Sequence, residues 1–183
     1  MDKKKAIREK FYLIRKKKYF EIDKYFFFPL IKLLKKINFK SENNLGIYYP
    51  CSNEVNVLAI SNLEYFKNFS LLLPVINNNN SIHFFSWKKK DILKINKFGI
   101  PEPLNKKKHT PNVLLVPLLA YDKKKNRLGY GKGYYDKYLG KLKKFGKKMI
   151  TIGVAFSFQK HDNLPVNIND VKLDYILTEK GIF

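Results

Sequence analysis

Cysteine is nearly missing from this chain. Cys51 stands alone among 183 residues, so no internal disulfide can form and a buried core has to supply the stability. Long apolar runs are missing as well: none approaches the ~18 residues of a membrane-spanning helix, and no membrane partner is expected. The basic N-terminal segment has no uninterrupted apolar stretch ending in a cleavage site, so it does not read as a secretory leader. The expected location is cytoplasmic, with a short organellar presequence left open. No segment repeats another at fixed spacing, which excludes repeat architectures. Acidic residues are scarce, 15 against 37 Lys and Arg, for a formal charge of +22. Arginine is scarcer still: Arg8, Arg15 and Arg127 stand against 34 lysines. Planar guanidinium groups are the usual tool for bidentate recognition of bases and phosphates. Their scarcity weakens the nucleic-acid interface that the charge alone would suggest.

What is abundant has a common origin. Lys, Asn, Ile, Phe and Tyr all have codons rich in A and T, and a drift in genome composition would load exposed positions with lysine without selecting a partner. The bias points to an A+T-rich organism such as an endosymbiont or parasite. The length suits one domain, residues 1–183, burying roughly 70% of its extended surface. Residues 3–36 read as helical, with apolar stripes at Ile7, Phe11 and Ile14 and at Leu30, Leu33, Leu34 and Ile37, broken near Phe28 and Pro29. Residues 45–49 and 71–75 read as strands, and 55–66 as a helix with Ser52 and Asn53 as candidate caps. A polar loop at 77–80 precedes a strand at 82–87, and 106–109 reads as a solvated loop. Residues 150–155 form a further buried strand and 171–178 the last one.

The stretch 112–142 organises the rest. Residues 113–116 are a run of Val and Leu closed by Pro117, and the lack of alternation suits a central strand covered on both faces. Gly129, Gly131 and Gly133 then alternate, as a backbone that bends tightly around a ligand requires. Tyr135, Tyr138, Leu139 and Leu142 fall at helical spacing, so the loop feeds a helix N-terminus, whose free amides attract anions. Arg127 and Lys132 offer a donor fork and a mobile point charge to phosphoryl oxygens, and Asp136 offers a carboxylate for a bridging cation such as magnesium. Two better-known phosphate motifs are absent. Tyr134 stands where a dinucleotide fingerprint needs its third glycine, and Gly133 where a P-loop needs Ser or Thr.

The ten contiguous residues Arg127, Leu128, Gly129, Tyr130, Gly131, Lys132, Gly133, Tyr134, Tyr135 and Asp136 resemble the signature of the 5-formyltetrahydrofolate cyclo-ligase family, also called methenyltetrahydrofolate synthetase. The resemblance implies that all ten contribute to an ATP site, with Arg127, Lys132 and Asp136 catalytic, Asp136 the metal ligand and Tyr134 also aligning folate. Lys4 and Arg8, one helical turn apart, match a Lys and Arg that open the family's first helix, which implies that Lys4 reaches the ATP phosphates. The segment YYPCSNEVNV resembles the family's folate-side loop and implies that Tyr49 and Glu54 face substrate. Cys51 in this segment reads as a small loop residue, with no His or acid arranged to make it a nucleophile. Where relatives carry Met-x-Phe along the pterin pocket, this chain has His83, Phe84 and Phe85; Phe85 and Trp87 are the expected wall, and His83 is a departure. FGIPEP resembles the family's segment crossing the site, which implies that Glu102, held in a stiff turn between two prolines, accepts hydrogen bonds from the pterin. Phe156 and Gln159 match a Phe-x-x-Gln segment and are expected at the pocket edge. Asn112 replaces an Asp, Asn169 replaces the His of a His-Asp pair, and Leu118 replaces a Gly, which would narrow the loop beside the ligand.

Strands separated by helices argue for an α/β three-layer sandwich with a mainly parallel central sheet of five or six strands, flanked by helices, with ligands beyond the strand C-terminal ends. The resemblance implies conversion of 5-formyltetrahydrofolate to 5,10-methenyltetrahydrofolate with ATP and magnesium. The implied partners are a reduced folate, with or without a polyglutamate tail, and ATP; a monomer and no specific nucleic acid are expected. Two other readings remain open from the residues alone. A basic nucleic-acid-binding protein could use an α/β scaffold, and a sugar-phosphate or coenzyme-A enzyme would share the anion loop without a pterin pocket.

Overall fold

The structure, a computed structural model, describes residues 3–40, 43–77, 81–104, 107–146 and 149–183. Two helices come first, α1 (Lys3–Lys18) and α2 (Phe28–Lys36), followed by strands β1 (Asn44–Gly46), β2 (Ser70–Ile76) and β3 (Ile82–Ser86). A hairpin of β4 (Leu93–Ile95) and β5 (Pro101–Pro103) leads to β6 (Lys108–His109) and β7 (Val113–Pro117). A second small hairpin, β8 (Ala120–Tyr121) with β9 (Arg127–Leu128), runs into the glycine loop and α3 (Tyr134–Lys144). The chain closes with β10 (Ile150–Val154), β11 (Tyr175–Thr178) and β12 (Gly181–Ile182).

Eight strands form one sheet in the order β12-β11-β10-β7-β1-β2-β3-β6. The five in its middle, from β11 to β2, are parallel, and the strands at both margins are antiparallel. The expected α/β class and parallel core are therefore present. The sheet is wider than expected because the two-residue margins β6 and β12 are too short to leave a pattern in sequence.

β7 lies between β10 and β1, and its side chains alternate between two cores. Val113 and Leu115 pack with Leu30, Leu34 and Ile60 on one face. Leu114 and Val116 pack with Leu72, Leu139 and Ile176 on the other. Branched side chains suit both faces of a covered strand, so the uninterrupted apolar run has the central placement expected of it. α1 packs elsewhere: Phe11, Ile7 and Ile14 meet Leu119, Ala120, Leu128 and Leu164 beside the second hairpin.

Several local expectations are corrected. The helical region breaks at residues 19–23, not at Phe28 and Pro29; Pro29 sits in the first turn of α2, where its missing N–H would have had no intrahelical partner. Residues 55–66 form two 3₁₀ segments, Val57–Asn62 and Glu64–Phe66, in place of an α-helix. Ser52 and Asn53 cap neither; both take positive φ, 49° and 63°, in the turn before them. Branched Val55, Val57 and Ile60 disfavour the α-helix and are anchored instead in the core. Glu102 lies in a strand of a hairpin, not in an isolated turn. Lys108 and His109 pair with β3, while residues 78–80 and 106 lie outside the described residues. The last long strand shortens to β11 and is followed by another.

Leu118 was expected beside the ligand and is not there. It is 1% exposed, and a Cβ on Gly153 would lie 2.7 Å from its Cδ2. The glycine on β10 makes room for a leucine that fills the core.

Candidate active site

A cleft of about 1570 Å³ opens beyond the C-terminal ends of β1, β2 and β7 and runs along α3. It exceeds the roughly 300–1,000 Å³ of a single small-ligand pocket, so it has room for two substrates. Its lining includes Lys4, Arg8, Tyr49, Glu54, Glu102 and every residue from Arg127 to Asp136.

The glycine loop is held from two sides. Gly133 caps α3 with φ 67°, and Gly131 has φ 96° with the Arg8 guanidinium packed where a side chain would project, 3.3 Å from an added Cβ. Arg8 Nε also donates to the Gly129 carbonyl at 3.0 Å, and Lys4 forms an ion pair with Asp170. Arg8 is thus brought to the loop, and Lys4 to the segment that carries Asp170. Arg127 donates to Asp136 Oδ1 at 2.7 Å, and the Val171 amide donates to the same oxygen at 3.2 Å. Arg127 Nε is buried without a hydrogen-bond partner among the described residues, an unspent donor at the edge of the loop. Lys132 is exposed on the loop.

Two buried carboxyl groups also line the cleft. Glu54 accepts from the Tyr130 hydroxyl at 2.5 Å and from the Cys51 amide at 2.9 Å. Burial raises its pKa, while those two donors and the Arg15 charge work against the rise. Glu102 Oε1 accepts from the Ile76 amide at 2.7 Å and from Asn96 Nδ2 at 2.8 Å, which fixes the β4–β5 hairpin to β2. At the hairpin tip the ring of Phe98 lies 6.2 Å from that of Tyr134. Cys51 is pushed up to about 12, by burial first and by Glu54 second, so it is a neutral thiol at physiological pH.

Four expected substrate residues do not line the cleft. Trp87 is 6% exposed in the core beneath β2. Phe85 is half-buried opposite Leu73 on β2. Phe156 is wholly buried, stacked on Phe158 and packed on Tyr19 and Phe20. Gln159 spends its side chain on the Leu118 and Leu119 carbonyls and the Phe156 amide. The chain turns into a 3₁₀ segment after Phe156, a change of direction that the spacing of Phe and Gln does not encode. His83 also lies outside the cleft, its pKa lowered by burial and by Lys108 and Lys141. Asn112 keeps the strand start in place by accepting from the Asn44 amide at 2.8 Å. Asn169 does line the cleft.

Sequence reading missed Tyr48, Ile76, Phe98 and Asp170 as lining residues. Phe98 and Asp170 had a signal, since each sits in a segment singled out for a neighbour. So does Tyr48, which opens the segment singled out for Tyr49 and Glu54; Ile76 had none, because which residue at a strand end faces a cleft depends on register.

The family model described as the 5-formyltetrahydrofolate cyclo-ligase family matches residues 2–179. The chain belongs to that family. The resemblance carried by the glycine loop and the reading of the chain as a ligase of that kind are therefore borne out. The 5-formyltetrahydrofolate cyclo-ligase of Haemophilus influenzae is 33% identical over 151 residues, covering 79% of this chain and 80% of the relative. That of Mycoplasma pneumoniae is 35% identical over 129 residues, covering 62% and 74%. The solution structure of the Aquifex aeolicus 5,10-methenyltetrahydrofolate synthetase superposes with a TM-score of 0.76 at 29% identity, covering 98% of this chain and 91% of that one. The synthetase structure from Mycoplasma pneumoniae gives 0.68 at 26% identity, covering 97% and 98%. Members of the cyclo-ligase family thus share this fold over nearly its full length.

Proposed function

We propose that this member of the cyclo-ligase family closes the ring of 5-formyltetrahydrofolate to 5,10-methenyltetrahydrofolate, with hydrolysis of ATP to ADP and phosphate. The observation that carries the reading is the convergence on one cleft of the glycine loop, the α1 cations Lys4 and Arg8, and the buried carboxyl groups Glu54 and Glu102. The first two groups suit a triphosphate, and the last two suit donors on a reduced pterin.

The chemistry explains why both are needed. A formamide oxygen is a poor leaving group. Transfer of the γ-phosphoryl group to that oxygen gives an imidate phosphate, N10 attacks its carbon and loses a proton, and phosphate departs with the oxygen. The chain's part is to position the partners and neutralise charge. Lys4, Arg8, Arg127 and Lys132 are assigned to the phosphates, and Tyr49, Glu54, Glu102 and Tyr134 to the folate side. No covalent bond to the protein is required.

Magnesium is the expected companion of ATP. Among the described residues no group of three or more His, Cys, Asp and Glu comes together as a ligand set, and Asp136 already shares one oxygen with Arg127 and Val171. This donor set fits an ion that arrives on the phosphates, keeps its waters and takes one protein carboxylate, as magnesium does. Such an ion would neutralise charge on the β- and γ-oxygens.

The deciding experiment is incubation of purified protein with 5-formyltetrahydrofolate and MgATP while following the chromophoric methenyl product. ATP-dependent, saturable product formation is expected. No product under any of these conditions would reject the reading.

A further inference from the structure

Arg15 belongs to none of the family motifs read in the sequence, yet among the described residues it is the one fully buried cation, 1% exposed. Nε donates to the Ser52 carbonyl at 3.0 Å, NH1 to the Leu118 carbonyl at 3.1 Å, and NH2 to the Tyr130 hydroxyl at 2.5 Å. An arginine has donors and no acceptor, so the hydroxyl of Tyr130 must accept from Arg15. Its single proton is left for Glu54 Oε1, 2.5 Å away. The other oxygen of Glu54 accepts the Cys51 amide. Both oxygens therefore act as acceptors, which is the arrangement of an ionised carboxylate, in a residue only 6% exposed.

We propose that Arg15 is a positioning residue of the reaction: through the Tyr130 hydroxyl it keeps Glu54 ionised and oriented at the folate side of the cleft. This rests on the reading of Glu54 as a substrate-facing group.

The surroundings explain why Arg15 is needed. Burial works against the charge on Glu54. The titratable and charged groups that face it are Arg15 from α1, Tyr130 from the glycine loop, Cys51 from its own loop, Tyr48 beyond β1 and Tyr135 from α3. The tyrosine and cysteine side chains are all held neutral, so Arg15 is the cation in the set. Its hydrogen bonds to two carbonyls hold the guanidinium in place and leave its charge to Glu54. The relay also couples the two halves of the site, since Tyr130 belongs to the loop assigned to ATP.

The test compares wild type with Arg15→Met, Arg15→Lys, Tyr130→Phe and the Arg15→Met/Tyr130→Phe double variant. Two quantities are read: the pH profile of kcat/KM for 5-formyltetrahydrofolate, and the carboxyl ¹³C titration of Glu54 by NMR in the free protein, assigned with Glu54→Gln. Arg15→Met and Tyr130→Phe should each lower kcat/KM by about 10- to 100-fold, the range of one hydrogen bond to a charged group. Both should move the Glu54 titration and the acid limb of the rate profile upward by about one pH unit. The double variant should lose no more than the larger single loss, because the two residues act in series. Arg15→Lys should return the acid limb toward its wild-type position by restoring the charge. Lower activity with an unmoved Glu54 titration and additive losses would overturn the proposal and leave Arg15 a packing residue. If Arg15→Met does not fold, Tyr130→Phe decides the same question. If wild type forms no methenyl product, the functional reading fails on its own, and the NMR titration still decides the relay.

Discussion

Cys51 shows how a reactive group is silenced by its neighbours. The thiol moves from 9.0 to about 12, which at pH 8 leaves roughly a thousandfold less thiolate. A more basic thiolate is also more nucleophilic, with a slope of about 0.4–0.5, and this returns roughly twentyfold. Iodoacetamide labelling at pH 8 should therefore run roughly 50-fold slower in the native protein than in the urea-unfolded chain, and equal rates would contradict the burial. Asp136 is the opposite case, a charge whose partner is sealed: the Arg127 side chain is 4% exposed and Asp136 22%. Asp136→Asn removes the carboxylate from a nearly buried guanidinium and should cost about 2 kcal/mol in urea unfolding, less than a fully buried pair. Turnover and magnesium response should weaken with it. Unchanged stability together with unchanged turnover would remove the pair from both roles.

Gly131 and Gly133 separate backbone strain from contact. Both have positive φ, but only at Gly131 would a Cβ meet the Arg8 guanidinium, while at Gly133 it would meet nothing within 4 Å. Each Ala variant should lose about 1–2 kcal/mol for the backbone. Only Gly131→Ala should also raise KM for ATP, because it displaces Arg8; a rise of the same size in Gly133→Ala would oppose a role for Arg8. The glycine loop and β7 were legible in sequence because their determinants are local: an apolar run, alternating glycines and a helical stripe within 31 residues, 112–142. The segment 55–66 misled because its apolar positions fit a helical period while core anchoring, not backbone propensity, decided between α and 3₁₀ turns. Phe85, Trp87, Phe156 and Gln159 misled for a related reason. Aromatic and amide side chains after a strand can serve a pocket or a core equally well, and the turn that decides is fixed by tertiary contacts such as Gln159 on the Leu118 carbonyl. Arg15 could not be assigned from sequence at all, since its three partners lie in three different segments.

The charge of +22 and the buried hydroxyl groups give the whole molecule two solution properties. If the lysine excess is compositional, nucleic acid should adhere weakly, without sequence preference, and release as salt rises. A sequence or structure preference that persists near physiological salt in competition binding would show a built recognition surface. Tyr48, Tyr130, Tyr135 and Tyr138 are all raised above 10.0, burial being the first cause in each. The folded state therefore holds these protons more tightly than the unfolded chain, so the stability they contribute is full below pH 10 and falls as pH climbs beyond it. Cys51, raised from 9.0 to about 12, starts the loss about one pH unit earlier, so urea midpoints should be flat from about pH 7 to 8 and drop steadily above about pH 9; an unchanged midpoint near pH 11.5 would contradict the burial. The bonds that hold α1 against the cleft also set when its packing can be completed during synthesis. Arg15, Arg8 and Lys4 reach Leu118, Gly129 and Asp170, which follow them by 103, 121 and 166 residues. At ~5–20 residues per second, α1 waits on the order of ten to thirty seconds for its last partner. A nascent chain stalled before residue 170 would have much of its sheet but not the Lys4–Asp170 pair at the cleft.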